Sequence, residues 1–210
     1  MAEYHLTAPL TDADVEQLNI GDVVYISGEA FTCRSRLQKY IFDEKNVLPV
    51  SIKDRNVLIH NGPIVVKENG KWKLVSFMPT SSIRFEKWGA KSVDEWNLKM
   101  IVGKTTMGEK TMKMMQDKKC VHVSPQSVSP NLWIDSIEVQ DVYLYDELGR
   151  IEACWFFKLN DIGPFIVDID TKGNNYFDAL EKKVLERKAE VLKSIGVDPD
   201  FEYTELYREK

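Results

Sequence analysis

The chain has 210 residues, a formal net charge of −5 and 43% hydrophobic residues, values typical of a soluble globular protein. This length allows a substantial core without disulfide or metal staples. The negative charge gives no general attraction for nucleic acid or anionic membranes, and no window approaches the roughly 18 apolar residues that span a bilayer, so we expect neither partner.

The first predicted elements in chain order include two short helices. A capping-box pattern at Thr11 and Asp14 predicts a helix over residues 12–18. Thr32 is expected to cap a second helix, because apolar residues recur after it at helical spacing. A third helix is predicted over residues 108–118.

Short apolar runs between turn residues predict a larger number of strands. These strands lie at 23–27, 57–59, 63–67, 72–77, 98–102, 121–123, 137–145, 151–159 and 165–170. Turn residues at 68–70 and 146–149 predict a hairpin at each place. The sequence therefore predicts an α/β fold in which strands outnumber helices.

From Phe177 onward the pattern becomes helical, with apolar residues on one stripe and charges elsewhere. Gly196 and Pro199 supply the stop signals. We therefore expect one α/β domain over residues 1–176, followed by an amphipathic helix and a charged tail over residues 177–210.

The cysteines predict a reducing compartment. Cys33, Cys120 and Cys154 are odd in number and widely spaced, which favours a cytoplasmic protein over a disulfide framework. None stands in CxxC spacing, so we expect no metal site held by this chain alone. Residues 1–14 lack the charged and apolar regions of a signal peptide.

Three segments combine hydroxyl side chains with a cation directly after a buried strand or turn: residues 27–34, 79–84 and 103–106. Free amides, hydroxyls and a positive charge together bind anions, and arginine grips carboxylates with two parallel hydrogen bonds. Simpler interpretations are a helix cap with a surface ion pair, and a polar loop. A phosphate loop is excluded, because Leu98 stands where that motif needs glycine.

Other polar residues are expected to be structural. The histidines, at positions 5, 60 and 122, are too far apart for a local metal motif. Asp168 and Asp170 share one face of a strand and resemble paired acids, but a strand-end role or burial beside Lys172 is favoured.

The order of these segments resembles the β subunit, or fused C-terminal domain, of class I fumarase and L(+)-tartrate dehydratase. The resemblance covers about residues 5–177, and no single motif carries it. The shared motifs are Leu6–Leu10, Gly21–Gly28, Asn61–Pro63, Met78–Arg84, Val102–Lys104 and Asp168–Asn174.

The resemblance implies a swivelling β/β/α domain, with mixed sheet layers and flanking helices, that closes over a [4Fe–4S] cluster held by an α subunit. It implies a hydro-lyase that adds or removes water from a dicarboxylic acid, with fumarate and malate as the expected pair and tartrate as the alternative. The assembly implied is a β homodimer or an α2β2 complex.

The resemblance also implies roles for individual residues. Thr80 falls at the position of a threonine thought to act as general base, and Ser81 stands beside it at a second threonine position. The residues expected to bind substrate are Arg34, Arg84, Lys104, Thr32 and Gln38. A hydroxyl base requires a strongly electropositive, closed site.

Some positions depart from the family pattern and leave an alternative open. Ser35 and Gln38 stand where the family has an aspartate and a histidine, and residues 124–131 replace a glycine- and alanine-rich turn. The alternative is a non-catalytic dicarboxylate-binding or regulatory paralogue of the same fold. A plain scaffold without a pocket is a third possibility.

Overall fold

A computed structural model describes residues 1–126, 129–198 and 201 of the chain. The chain divides into two compact units, residues 1–176 and residues 177–210. Most of the predicted tail at residues 200–210 lies outside the described residues. No described helix has both the length and the apolar character needed to cross a membrane.

The α/β character of the fold is confirmed. The strands are β1 Glu3–Ala8, β2 Val23–Thr32, β3 Val57–Ile59, β4 Ile64–Glu68, β5 Lys71–Ser76, β6 Met100–Val102, β7 Val121–Pro125, β8 Ile137–Tyr143 and β9 Cys154–Ile169. The α-helices are α1 Asp12–Glu16, α2 Ser35–Gln38, α3 Glu86–Glu95, α4 Glu109–Lys118, α5 Tyr145–Leu148 and α6 Tyr176–Ser194. A π-helical turn, Lys39–Asp43, extends α2, and a 3₁₀ turn, Ser82–Phe85, precedes α3.

The main sheet closes into a ring, because two strands that are not neighbours in the sheet order also pair. In the described residues its order is β1-β2-β3-β6-β7-β9-β8, and β9 also pairs with β2. The pairs β2–β3, β3–β6 and β6–β7 are parallel, whereas β9 is antiparallel to both β2 and β7. Five strands therefore form a ring, and the carboxyl ends of β2, β3, β6 and β7 meet at one edge of it.

The central ring strands β3 and β6 are buried on both faces. Val57 and Ile59 of β3 belong to one apolar cluster, whereas Leu58 between them belongs to a second. Successive side chains of a strand point to opposite faces, so these two clusters lie on opposite sides of the sheet. Burial on both sides explains why β3 and β6 appear in the sequence as unbroken apolar runs.

Helices α3 and α4 pack closely, and a side chain of α3 caps the amino end of α4. A Cβ atom at Gly89 of α3 would overlap the hydroxyl of Thr111 in α4, so this approach requires glycine. The amino end of α4 begins after Gly108, which has no capping side chain. Glu86 of α3 supplies the cap instead, accepting hydrogen bonds from the Gly108 amide (2.7 Å) and the Thr111 amide (3.2 Å).

Several predicted elements are confirmed in kind. The capping box at Thr11 and Asp14 opens α1. The hairpin β4–β5 turns at Asn69 and Gly70, both with positive φ (52° and 80°), as a two-residue hairpin turn requires. The predicted hairpin between residues 137–145 and 151–159 is also present, as β8 pairs with β9.

Other expectations are wrong or incomplete. Thr32 does not cap the second helix: it is the last residue of β2, and α2 begins after Arg34 without a side-chain cap. The strands predicted at 151–159 and 165–170 are one strand, β9, which continues through Gly163 with shifts of register against its neighbours. Neither β1 nor α3 was predicted, and the short helix α5 stands where only a turn was expected.

Candidate functional site

The carboxyl ends of β3 and β6 hold the predicted Thr80 segment between them. The Thr80 amide donates to the carbonyl of His60, just after β3, at 2.7 Å. The Lys104 amide, just after β6, donates to the carbonyl of Thr80 at 3.0 Å, and the Ser82 amide donates to the carbonyl of Lys104 at 2.8 Å. Thr80, Ser81 and Lys104 therefore lie together, and Ser81 forms an isolated β-bridge with Lys104.

Arg34 reaches this edge from the end of β2. A Cβ atom at Gly62, just after β3, would lie 2.8 Å from an outer nitrogen of Arg34, so the guanidinium lies against the Gly62 backbone. Arg34 Nε is 3.3 Å from an oxygen of Glu152, whose other oxygen accepts a hydrogen bond from the Arg36 amide at 2.8 Å. Glu152 thus holds one side of the guanidinium.

Two further cations belong to the segments that meet at this edge. Arg84 is exposed in the 3₁₀ turn after Ser82, and Lys104 is half-buried; in the described part of the chain neither forms an ion pair. Asn61, only 2% exposed, has a side-chain nitrogen without a hydrogen-bond partner among the described residues. A buried donor left unpaired costs about 1–3 kcal/mol, so this edge is suited to an anion or another acceptor.

Two of the residues predicted to bind substrate have side chains that form hydrogen bonds inside the protein. Thr32 is fully buried, and its hydroxyl accepts a hydrogen bond from the Trp155 amide at 3.1 Å. Gln38 is also fully buried and donates to the Ser92 hydroxyl at 3.1 Å. Both make packing contacts inside the protein, and a role in substrate binding stays a prediction.

A buried chain of hydrogen bonds adjoins the Thr80 segment. The Ser82 hydroxyl lies 2.9 Å from His60 Nδ1 and 2.7 Å from His122 Nε2. His122 Nδ1 lies 2.5 Å from one oxygen of Asp168, and the other oxygen accepts a hydrogen bond from the Ser124 hydroxyl. His60, Ser82, His122 and Asp168 are each at most 1% exposed.

Burial sets the charge of His60. Loss of hydration, with a smaller contribution from the neighbouring His122, lowers the pKa of His60 to about 3. His60 is therefore neutral at physiological pH, and its ring packs on Phe85 with 4.5 Å between centroids.

The structural interpretation of these residues changes in two respects. Asp170, not Asp168, has the strand-end role, because its Oδ1 accepts hydrogen bonds from the Lys172 and Asn174 backbone amides and its Oδ2 accepts one from the Asn174 side chain. Asp168 instead pairs with His122, 46 positions earlier in the chain. The signal in the sequence was a single polar residue inside each of two short, otherwise apolar runs: His122 within Val121–Val123 and Asp168 within Phe165–Ile169.

The cysteines do not form a ligand set. Among the described residues, no group of three histidine, cysteine or acidic side chains is placed to hold a metal ion. Cys33, Cys120 and Cys154 are buried, and burial raises the pKa of each thiol, that of Cys154 to about 12. The raised pKa keeps these buried thiols protonated at physiological pH.

Comparison with known proteins agrees with this arrangement. The family model described as Fumarase C-terminus matches residues 1–180. The chain is 32% identical over 190 residues to the L(+)-tartrate dehydratase subunit beta of Escherichia coli strain K12, covering 90% of this chain and 94% of that one. It is 33% identical over 187 residues to a putative subunit of the same name from Methanocaldococcus jannaschii, covering 87% and 95%.

A longer relative also matches. The chain is 31% identical over 183 residues to a putative class I fumarate hydratase of Geobacillus stearothermophilus, covering 87% of this chain but 35% of the relative. The match over residues 1–180 includes the whole edge that carries Arg34, Thr80, Arg84 and Lys104. The chain therefore belongs to the Fumarase C-terminus family, that of the β subunits of class I fumarate hydratase and L(+)-tartrate dehydratase.

Proposed function

We propose that this chain is the β subunit of a two-subunit hydro-lyase that reversibly hydrates or dehydrates a dicarboxylic acid. Fumarate and malate are the first candidate substrates and tartrate is the alternative. The observation that carries the proposal is the edge where Thr80 and Lys104 are joined through their backbones, with Arg34 and Arg84 on the neighbouring segments; among the described residues, Lys104 and Arg84 form no ion pair. Membership of a family that includes tartrate dehydratase subunits supports it.

This chain's part in the reaction is to bind carboxylates and to move one proton. Arg34, oriented by Glu152, and Arg84 bind carboxylates of the substrate, and Lys104 adds positive charge beside Thr80. Thr80 accepts the proton from the substrate carbon, with Ser81 next to it. Positive charge in a closed site lowers the free energy of a deprotonated hydroxyl, which makes such a base possible.

The proposed enzyme is complete only with its partner. A [4Fe–4S] cluster held by the α subunit would supply Lewis-acid chemistry. Residues 1–176 would act as the swivelling domain that brings the cationic edge against that partner in the cytoplasm. The proposed assembly is a β homodimer or an α2β2 complex.

The test is turnover by the assembled complex. The chain is co-expressed with the product of an adjacent reading frame that has three candidate cluster cysteines, and the complex is reconstituted anaerobically. Interconversion of fumarate, malate and tartrate is then followed. Turnover of one pair supports the proposal, and no turnover of any hydroxy-dicarboxylate by a fully loaded complex contradicts it.

A further inference from the structure

The buried hydrogen-bond chain His60–Ser82–His122–Asp168 takes no part in the proton transfer or the carboxylate binding proposed above. Its members come from the end of β3, the Thr80 loop, β7 and β9, so it ties four separate segments together. Buried polar groups of this kind are costly unless every donor finds an acceptor. The pattern of donors and acceptors therefore restricts how the chain is protonated.

The hydrogen atoms can be assigned from one end. Both oxygens of an Asp168 carboxylate are acceptors, so the Ser124 hydroxyl donates to one and His122 Nδ1 donates to the other. Ser82 has a single hydroxyl hydrogen and stands between two imidazole nitrogens. When His122 is neutral, its Nε2 accepts that hydrogen, and His60 Nδ1 must then donate to the Ser82 oxygen. Neutral His60 is thereby held as the Nδ1–H tautomer.

The same chain fixes the backbone of the candidate site. Ser82 is bonded through its amide to the Lys104 carbonyl and through its hydroxyl to both histidines. A Cβ atom at Gly103 would overlap the Ser82 hydroxyl and lie 3.0 Å from His122 Nε2, so the histidine and the serine fill that space. The His60 carbonyl accepts a hydrogen bond from the Thr80 amide, and the His60 ring packs on Phe85.

We propose that His60, His122 and Asp168 are positioning residues that orient the Ser82 hydroxyl and so hold Thr80 and Arg84 in register with Lys104. The kinetic consequence rests on the proposed function, whereas the hydrogen-bond chain is a property of this subunit alone. Asp168 acts through His122, and His122 acts through Ser82. None of the three needs to touch the substrate.

The chain itself is tested on the full-length subunit by the nitrogen chemical shifts of its histidine rings, measured by NMR with ¹⁵N labelling. At pH 7.5 we expect His122 and His60 both to be protonated on Nδ1. Ser82→Ala should release His60 from that tautomer, because its acceptor is lost. A His60 protonated on Nε2, with shifts unchanged in Ser82→Ala, would overturn the proposal.

The effect on the site is tested in the reconstituted complex with two substitutions at one position. The amide oxygen of His122→Gln can reach the place of Nε2 and accept the Ser82 hydrogen, whereas the amide nitrogen of His122→Asn can reach only the place of Nδ1 and donate to Asp168. We expect His122→Asn to lower kcat by roughly 10-fold to 100-fold, as a misplaced catalytic group does. His122→Gln should recover a substantial part of the loss.

The melting temperature of each variant separates positioning from stability. If kcat differs between the Asn and Gln variants while their melting temperatures agree, the positioning role is supported. If both lose stability equally and keep the wild-type kcat and KM, the chain is structural only and the proposal is overturned. Absence of turnover in the wild-type complex would contradict the proposed function, and the ring-nitrogen shifts alone would then decide the hydrogen-bond chain.

Discussion

His122 Nδ1 and a carboxylate oxygen of Asp168 lie 2.5 Å apart in the core, although 46 positions separate the two residues in the chain. The pairing of β7 with β9 brings them together, since His122 lies opposite Ile169 in that register. A long antiparallel strand thus reaches the edge built by the parallel strands. The candidate site therefore depends both on the parallel strands and on the antiparallel strand β9.

Thr80 is the first residue to substitute. Thr80→Val keeps the shape of the side chain and removes the hydroxyl, so we expect kcat of the complex to fall roughly 10²-fold to 10⁴-fold, the range of a lost general base. Thr80→Ser is the matched control and should retain most activity. Steady-state kinetics measures both, and equal rates for the Val and Ser variants would contradict the base role.

Arg84 is expected to act mainly on substrate binding. Arg84→Gln removes a charged donor to a carboxylate, worth about 1.5–3 kcal/mol, so KM should rise roughly 10-fold to 100-fold. Lys87→Gln, also exposed and three residues further on, is the control and should leave KM unchanged. A similar rise in both variants would indicate only a general loss of positive charge.

The buried His60 predicts a loss of stability in acid. Its pKa is about 3 in the folded chain and 6.5 when unfolded, so between these values the unfolded state binds the extra proton. The contribution of neutral His60 to the free energy of unfolding is complete above pH 6.5 and is lost as the pH falls toward 3. The free energy of unfolding should decrease by about 1 kcal/mol per pH unit from this group.

Urea unfolding at pH 7 and pH 5 measures that slope. His60→Asn should flatten it, whatever its effect on stability at pH 7. His5→Asn is the control: a hydrogen bond to Asp161 raises the pKa of the exposed His5, so its contribution has the opposite sign. Identical slopes for wild type and His60→Asn would show that His60 does not titrate in this way.

Glu86 is predicted to stabilise α4 from outside that helix. Glu86→Gln keeps the size of the side chain and weakens its bonds to the Gly108 and Thr111 amides, so the free energy of unfolding should fall by about 1 kcal/mol. Glu109→Gln, exposed in the first turn of α4, should cost less. Denaturant titration of both variants compares them, and an equal loss would exclude the cap.

Local chemistry made the short elements predictable. Asn69 and Gly70 tolerate the positive φ of a hairpin turn, and Thr11 with Asp14 closes a capping box within one helical turn. The three segments that combine hydroxyl side chains with a cation were recognised from their residue types, and the resemblance to the family grouped Thr80 with Lys104. The Thr80 segment follows β5 of the separate β4–β5 hairpin, so parallel strand order alone does not place it.

The remaining features depend on tertiary contacts that no local pattern reveals. Turn residues such as Gly163 predicted a break, but pairing with β2 on one side carries β9 through it. Thr32 has the chemistry of a cap, yet its hydroxyl bonds to Trp155, 123 positions away. His122 and Asp168 were separately unremarkable polar residues, and only the ring of strands makes them a pair.

The most direct test of the central claim is deuterium incorporation by the reconstituted complex in D₂O, followed by ¹H NMR. The wild-type complex should form a hydroxy-dicarboxylate from its unsaturated diacid with one deuterium on the carbon beside the hydroxyl-bearing one, and the Thr80→Val complex should form it at least roughly 100-fold more slowly. No deuterated product from the wild type, or an unchanged rate in Thr80→Val, would contradict the account.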